Sequence, residues 1–134
     1  MKGLRLLLVG LALLGSGTGA LALECRAKQM VVVEMLFGRK IGDRIGVSET
    51  AFSRFVDREI TTRFPEGLTV LSADGRWRDT KRKTVIREPS KMVMLAAPDE
   101  PKTQEHIDAI VAAYKTRFKQ QAVGVLMRQS CVSF

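Results

Sequence analysis

Glu34, Glu88 and Lys91 are the residues whose types and placement come nearest to proton-transfer chemistry in this sequence. A carboxylate withdrawn from water beside an ammonium has a shifted pKa and can take or release a proton. For that, Glu34 and Lys91 must face each other across two neighbouring strands. The same residues could equally form a structural ion pair. Ser90 adjoins Lys91, but neighbouring strand residues point to opposite faces, so adjacency makes no Ser-Lys dyad.

A second group is electrostatic. Arg76, Trp77, Arg78, Lys81, Arg82, Lys83 and Arg87 crowd cations around the single Trp, a composition suited to gripping an anionic surface. A charged hairpin tip kept in solution accounts for it as well. No metal or cofactor is implied. The single His106 and two cysteines supply no ligand set, and Gly38-Arg39-Lys40-Ile41-Gly42 lacks the spacing and Lys-Ser/Thr ending of a phosphate-binding loop, so it reads as a flexible loop. His106 reads as an exposed helix residue and Tyr114 as core.

The elements that must position these residues sit in a chain of 134 residues, 46% hydrophobic, with 22 Lys+Arg against 14 Asp+Glu and a net charge of +8. That composition describes one compact domain rather than a disordered chain or a disulfide-dense miniprotein. Lys2 and Arg5 precede the apolar run Leu6 to Leu14, and Gly15 to Gly19 leads to Ala20-Leu21-Ala22. This is the pattern of a secretory signal cleaved after residue 22, leaving 23–134 as a single periplasmic or secreted domain with no transmembrane segment. The run is short of the roughly 20 apolar residues of a spanning helix, and Leu23-Glu24 before Cys25 does not suit a lipidation signal. Export also directs the basic segment toward an anionic envelope component, such as lipid headgroups or acidic polysaccharide, rather than nucleic acid.

In an oxidising compartment two thiols usually pair. A Cys25–Cys131 bond would close a loop of about 100 residues, worth up to roughly 4.7 kcal/mol in the chain-entropy model. Free thiols or an intermolecular bridge are the alternatives.

Met30 to Phe37 has the length and β-branched content of a strand, and Gly38 closes it. Ser48 then offers an N-cap, with Glu49 in the first turn and Phe52, Phe55, Val56 and Ile60 at helical spacing before Pro65. Leu68 to Leu71 resumes an extended pattern that continues through Trp77 and Arg78, with a bulge expected near Ala73 to Gly75. Asp79 to Lys83 forms a tip, and the return strand runs from Thr84 to Ala97 with an interruption at Pro89. Thr103 is the expected cap of a second helix carrying Ile107, Ile110, Val111, Tyr114 and Phe118 on one stripe. Gln121 to Val132 is the last strand.

The order β-α-β-β-α-β is the signature of an α+β ferredoxin-like fold: a four-stranded antiparallel sheet with two helices on one face. In that topology the first and last strands are antiparallel neighbours, which brings Cys25 and Cys131 to the same end of the sheet. The first strand alternates Met30, Val32, Glu34, Leu36 with Val31, Val33, Met35, Phe37, so both faces are apolar although helices cover only one. The uncovered face is therefore expected to be buried by a second copy, or to take a small apolar ligand, with Glu34 as its polar feature.

Five ordered blocks carry a resemblance: Glu34-Met35-Leu36-Phe37-Gly38, Arg63 to Leu71, Gly75-Arg76-Trp77-Arg78, Arg87-Glu88-Pro89-Ser90-Lys91 and Tyr114 to Phe118. Together they resemble the uncharacterised bacterial family called domain of unknown function 3574, whose members are often exported. Leu36, Thr62, Arg76 and Gln121 stand where that family usually has Tyr, Pro, Gln and Glu. The resemblance implies a shared unit and supplies no activity; its polar blocks fall on Glu34, Arg63, Thr69, Trp77, Glu88, Ser90 and Lys91.

Three functions follow as expectations. The first is a non-enzymatic domain that binds a small ligand or partner through the open sheet face as a homodimer. The second is a small dimeric enzyme with Glu34 as acid/base and Arg63 or Lys91 as its cation. The third is envelope association through the basic hairpin 76–87.

Overall fold

A computed structural model of the protein describes residues 25, 27–80 and 82–134. The expected signal segment, 1–22, and Lys81 lie outside the described residues.

Strand β1 (Lys28–Gly38) is followed by a two-residue hairpin, β2 (Lys40–Ile41) and β3 (Arg44–Ile45), then helix α1 (Glu49–Phe55), which loosens into a π turn over Val56–Ile60. Strands β4 (Thr69–Asp79) and β5 (Thr84–Ala97) form a long hairpin, and helix α2 (Pro101–Phe118) leads to β6 (Gly124–Val132). The main sheet has the order β4-β5-β1-β6, with every neighbour antiparallel. This is the ferredoxin-like arrangement read from the element order.

Alternation along β1 divides the sheet into two faces. Val31, Val33, Met35 and Phe37 point under the helices and are at most 4% exposed. They meet Phe52, Phe55 and Ile60 from the first helical segment, and Ile107, Ile110, Tyr114 and Phe118 from α2. Phe37 is the hub of an edge-to-face aromatic cluster, with ring centroids 4.7 Å from Tyr114 and 5.5 Å from Phe52. Ser48 caps α1 as read from the sequence, its hydroxyl accepting the Ala51 N–H at 3.1 Å.

Four local expectations are corrected. Pairing of β4 with β5 is unbroken from Thr69↔Met94 to Asp79↔Thr84, so no bulge exists at Ala73 to Gly75. Gly75 serves close approach instead, since a Cβ there would stand 2.7 Å from the Ser90 hydroxyl oxygen. Pro89 does not interrupt β5. Its carbonyl accepts the Arg39 N–H at 3.2 Å, and a strand residue presents N–H and C=O on the same side, so the missing N–H would project past the last β1 pair, Gly38↔Ser90. The Arg39 carbonyl that this N–H would have met accepts the Gly46 and Val47 N–H groups instead, at 2.9 and 3.1 Å.

Helix α2 begins at Pro101 with Glu100 as its N-cap residue, not with Thr103. Pro suits a first-turn position because its absent N–H would have had no helical partner. Thr103 is buried one turn in and donates its hydroxyl to the Pro98 carbonyl at 2.7 Å. Finally, the loop after Gly38 is an ordered hairpin, and Gly42 adopts φ +63° in its two-residue turn, a conformation glycine takes without a Cβ penalty.

Cys25 and Cys131 form a disulfide with Cα atoms 5.4 Å apart, tying the approach to β1 to the end of β6, where Gln29 pairs with Cys131. No helix among the described residues is long and apolar enough to cross a membrane.

Candidate functional site

The face of the sheet turned away from the helices carries the even-numbered side chains of β1. Register places Glu34 between Met94 of β5 and Leu126 of β6, and Leu36 between Met92 and Gly124. On β4, Thr69 and Leu71 reach the same face opposite Met94 and Met92. Leu36, Leu71, Met94 and Leu126 are 36–48% exposed, although each belongs to a paired strand. The face is thus apolar and uncovered across all four strands. Toward one end it hollows into a concavity of about 300 Å³ bordered by Val32, Leu68, Met94, Ala96, Val132 and Phe134.

Glu34 is the acidic group at the centre of this face, and Glu88 shares the face farther along, beside Gly38. The Glu34 carboxylate accepts a hydrogen bond from Arg128 Nη1 at 2.9 Å, and the Glu34 side chain is 20% exposed. Arg128 follows from strand parity, since β6 places it on the same face, but nothing local in the sequence marked it as the partner.

Lys91 is not part of that face. It pairs with Phe37 and Ser72 and points to the helix side, so the structure separates it from Glu34. Its ammonium donates to the Ser72 hydroxyl at 2.9 Å and meets a Glu49 carboxylate oxygen at 2.8 Å. The other Glu49 oxygen pairs with Arg39 Nη1, whose guanidinium also donates from Nε to the Val47 carbonyl at 2.8 Å. The side chains of Arg39 and Lys91 are each 9% exposed, whereas that of Glu49 is 68% exposed. The Lys91 hydrogen bond is the main cause that holds the Glu49 carboxyl below its ordinary range; desolvation opposes it, and the charge and hydrogen bond of Arg39 reinforce it.

Sequence reading missed Arg39, Glu49 and Ser72. Each looks like a solvated loop, helix-start or edge-strand residue until the β2–β3 hairpin folds over the end of the sheet. Nearby, Tyr114 donates its hydroxyl to the Gly38 carbonyl at 2.8 Å. Burial, reinforced by Glu88 and opposed by Arg39, raises the phenol above its ordinary value of 10.0.

Of the remaining sequence candidates, Thr69, Glu88 and Ser90 share the open face with Glu34 by strand parity, whereas Arg63 lies off the sheet. Glu88 lies against Gly38, where a Cβ would stand 3.1 Å from a carboxylate oxygen, and Ser90 donates weakly to the Glu88 carbonyl at 3.4 Å. Thr69 is exposed on β4. Arg63 pairs with Glu59 at 2.9 Å and borders a separate concavity of about 210 Å³ beside Phe64, Thr103 and His106. His106 is half-buried and stacks edge-on against Phe64 at 5.6 Å, rather than standing free on the helix surface.

Beyond Gly38 the β4–β5 hairpin continues as a two-stranded ribbon. Arg76 opposite Arg87, and Arg78, occupy one side of it, while Trp77 opposite Ile86 takes the other, with Trp77 50% exposed. At the tip Asp79 accepts the Arg82 backbone N–H at 3.0 Å, and Arg82 reaches Asp43 at 3.4 Å. Lys83 takes a left-handed φ of +55° there.

The fold and these surfaces define a ferredoxin-like α+β domain with one face covered by helices and one apolar face left open. Residues 32–134 match the family described as "Protein of unknown function (DUF3574)", and the chain belongs to it. A comparison with curated protein sequences gives no significant match. Among solved structures, the chain is similar to a phage SAM lyase in complex with S-methyl-5′-thioadenosine. The identity is 14% and the TM-score 0.63, over 83% of this chain and 90% of that one. It is also similar to CutA from Synechococcus elongatus PCC7942 complexed with a Bis-Tris molecule, at 8% identity and TM-score 0.52 over 81% and 87% of the two chains. At these identities the likeness is one of fold.

Proposed function

We propose that this chain is an exported, non-enzymatic binding domain whose open sheet face is buried by a second copy or, at its hollow end, by a small apolar ligand. The observation that carries this reading is the set Leu36, Leu71, Met94 and Leu126, each more than a third exposed on a face no helix covers. Contiguous apolar surface of this kind on a folded domain marks an interaction site. The Glu34–Arg128 pair lies within it, where a fixed charge pair would orient the partner. Export is supported by the leader pattern of residues 1–22 and by the Cys25–Cys131 disulfide, leaving 23–134 as the mature domain in the periplasm or outside the cell.

Non-reducing native mass spectrometry of the chain exported by a producing host tests all of this at once. The expected species is a dimer, or a chain with retained ligand mass, that begins at Leu23 and is two hydrogens lighter than its reduced form. Leu36→Asp or Leu126→Asp should dissociate it without loss of secondary structure. A bare wild-type monomer would overturn the reading.

A second reading rests on the ribbon, which presents arginines on one side and the exposed Trp77 on the other. In this reading it associates with an anionic envelope surface. Binding to vesicles containing anionic lipid should then weaken steeply with salt and survive Glu34→Gln. Binding that ignores salt would sink this reading.

A further inference from the structure

We infer that Arg39 and Lys91 form a binding site for a small-molecule carboxylate, and that Glu49 is the chain's own removable occupant of that site. The site lies on the helix side of the sheet and is independent of the open-face reading.

The first reason is asymmetry. Two cations whose side chains are 9% exposed share a single carboxylate whose side chain is 68% exposed. Buried cations repay their desolvation only with a well-placed anion and further hydrogen bonds. Here one negative charge faces two positive ones, and it arrives from the solvent side.

The second reason is that Glu49 does not hold the cations in place. The Val47 carbonyl fixes the Arg39 guanidinium through Nε at 2.8 Å, and the Ser72 hydroxyl fixes the Lys91 ammonium at 2.9 Å. Both anchors are neutral, so they position the cations without quenching their charge. A site held in shape by its own scaffold takes a ligand without the cost of ordering it.

The third reason is shape. The two oxygens of one carboxylate bridge the two cations, Oε1 to Arg39 and Oε2 to Lys91. A free carboxylate fits the same bridge. Arg39 Nη2 has no hydrogen-bond partner among the described residues, which leaves a donor beside the bridge for a ligand's second polar group.

Glu49 competes with any such ligand as a tethered group, with an effective concentration on the order of millimolar for a short flexible connection. Removing its charge therefore exposes the site. Titrating succinate into the disulfide-bonded chain by calorimetry should give binding about tenfold or more tighter to Glu49→Gln than to the wild type. Adding Arg39→Met or Lys91→Met to that variant should abolish the gain. Inorganic phosphate is titrated in parallel, and binding as tight as that of succinate would overturn the carboxylate assignment.

Should Glu49→Gln fail to fold, the wild-type chain answers the question by side-chain NMR. Saturable shifts of the Arg39 Nε and Lys91 Nζ signals with succinate, absent with sodium chloride at equal ionic strength, are the expected result. A folded Glu49→Gln variant that binds no better than the wild type, or a wild-type chain whose two signals do not move, would show that the cluster is an ion pair and nothing more.

Discussion

Leu36 and Phe37 are consecutive residues of β1, yet the first is 40% exposed and the second is fully buried among aromatic rings. The two faces differ in the same way along the central strands β1 and β5. One is covered there by α1, its π turn and α2, while the other offers leucine and methionine to solvent; on the edge strands the helix side also leaves Val70, Val125 and Met127 37–43% exposed. Similar hydrophobicity on both sides of a strand thus ends in two roles: where helices supply a cover the side chains stabilise the monomer, and where none exists they remain available to a partner.

Phe37→Ala attacks the covered face and should have the largest effect, a loss of about 3–5 kcal/mol from the removed ring and the cavity left behind. Equilibrium urea unfolding measures it. Replacing Cys25 and Cys131 together by Ser comes next. It frees a bond closing a sequence separation of 106 residues at the end of the sheet, for a loss of about 2–5 kcal/mol. Secondary structure should persist at low denaturant, and a pair of cysteines that contributes nothing would show as an unchanged midpoint.

Tyr114→Phe keeps the ring in the covered core and removes only the hydrogen bond to the Gly38 carbonyl, for about 1 kcal/mol. It also carries a pH signature. The folded phenol titrates above the ordinary value of 10.0, so above that value the unfolded chain has released a proton that the folded chain retains, and stability falls as pH rises. The Phe variant should lack this share of the alkaline loss.

Glu49 has the opposite sign. Its folded pKa lies below the ordinary 4.5, so its contribution is complete above that value and is lost as pH falls through the lowered one. Glu49→Gln should flatten the acid limb of the stability profile, and an unchanged limb would break the assignment of Arg39 and Lys91 as its partners.

The smallest effect on monomer stability belongs to the open face. Leu36→Ala should cost within about 0.5 kcal/mol when unfolding is followed on dilute monomer. A cost rivalling that of Phe37→Ala under those conditions would mean that the two faces are not as different as their exposure indicates.

Much of this architecture was legible in the residues. Ser48 and the run from Phe52 to Ile60 specified the first helix, and the stripe from Ile107 to Phe118 specified the second, because local capping and 3.6-residue spacing decide such elements. Family membership likewise followed from ordered blocks along the chain. The start of α2 was less legible, because Glu100 makes no side-chain cap hydrogen bond and Thr103, a favoured capping type, commits its hydroxyl to the Pro98 carbonyl. At Gly75 no bulge forms; the glycine gives room to the Ser90 hydroxyl on the neighbouring strand, which a Cβ would displace.

Sequence by itself determined the β-α-β-β-α-β order, the covered core and the return of Cys131 to Cys25, since periodicity and strand topology leave little freedom in these. Only the tertiary structure decided which polar residues meet. Alternation tells which side chains of one strand share a face, but it does not set the register against the next strand, and a one-residue slip exchanges the faces. In the register adopted, even residues of β1 pair with even residues of β5, so Glu34 faces Met94 and then Arg128 of β6 holds it, while Lys91 joins Phe37 on the covered side. There it finds Glu49 and Arg39, which arrive from a hairpin and a helix start whose approach no local pattern records.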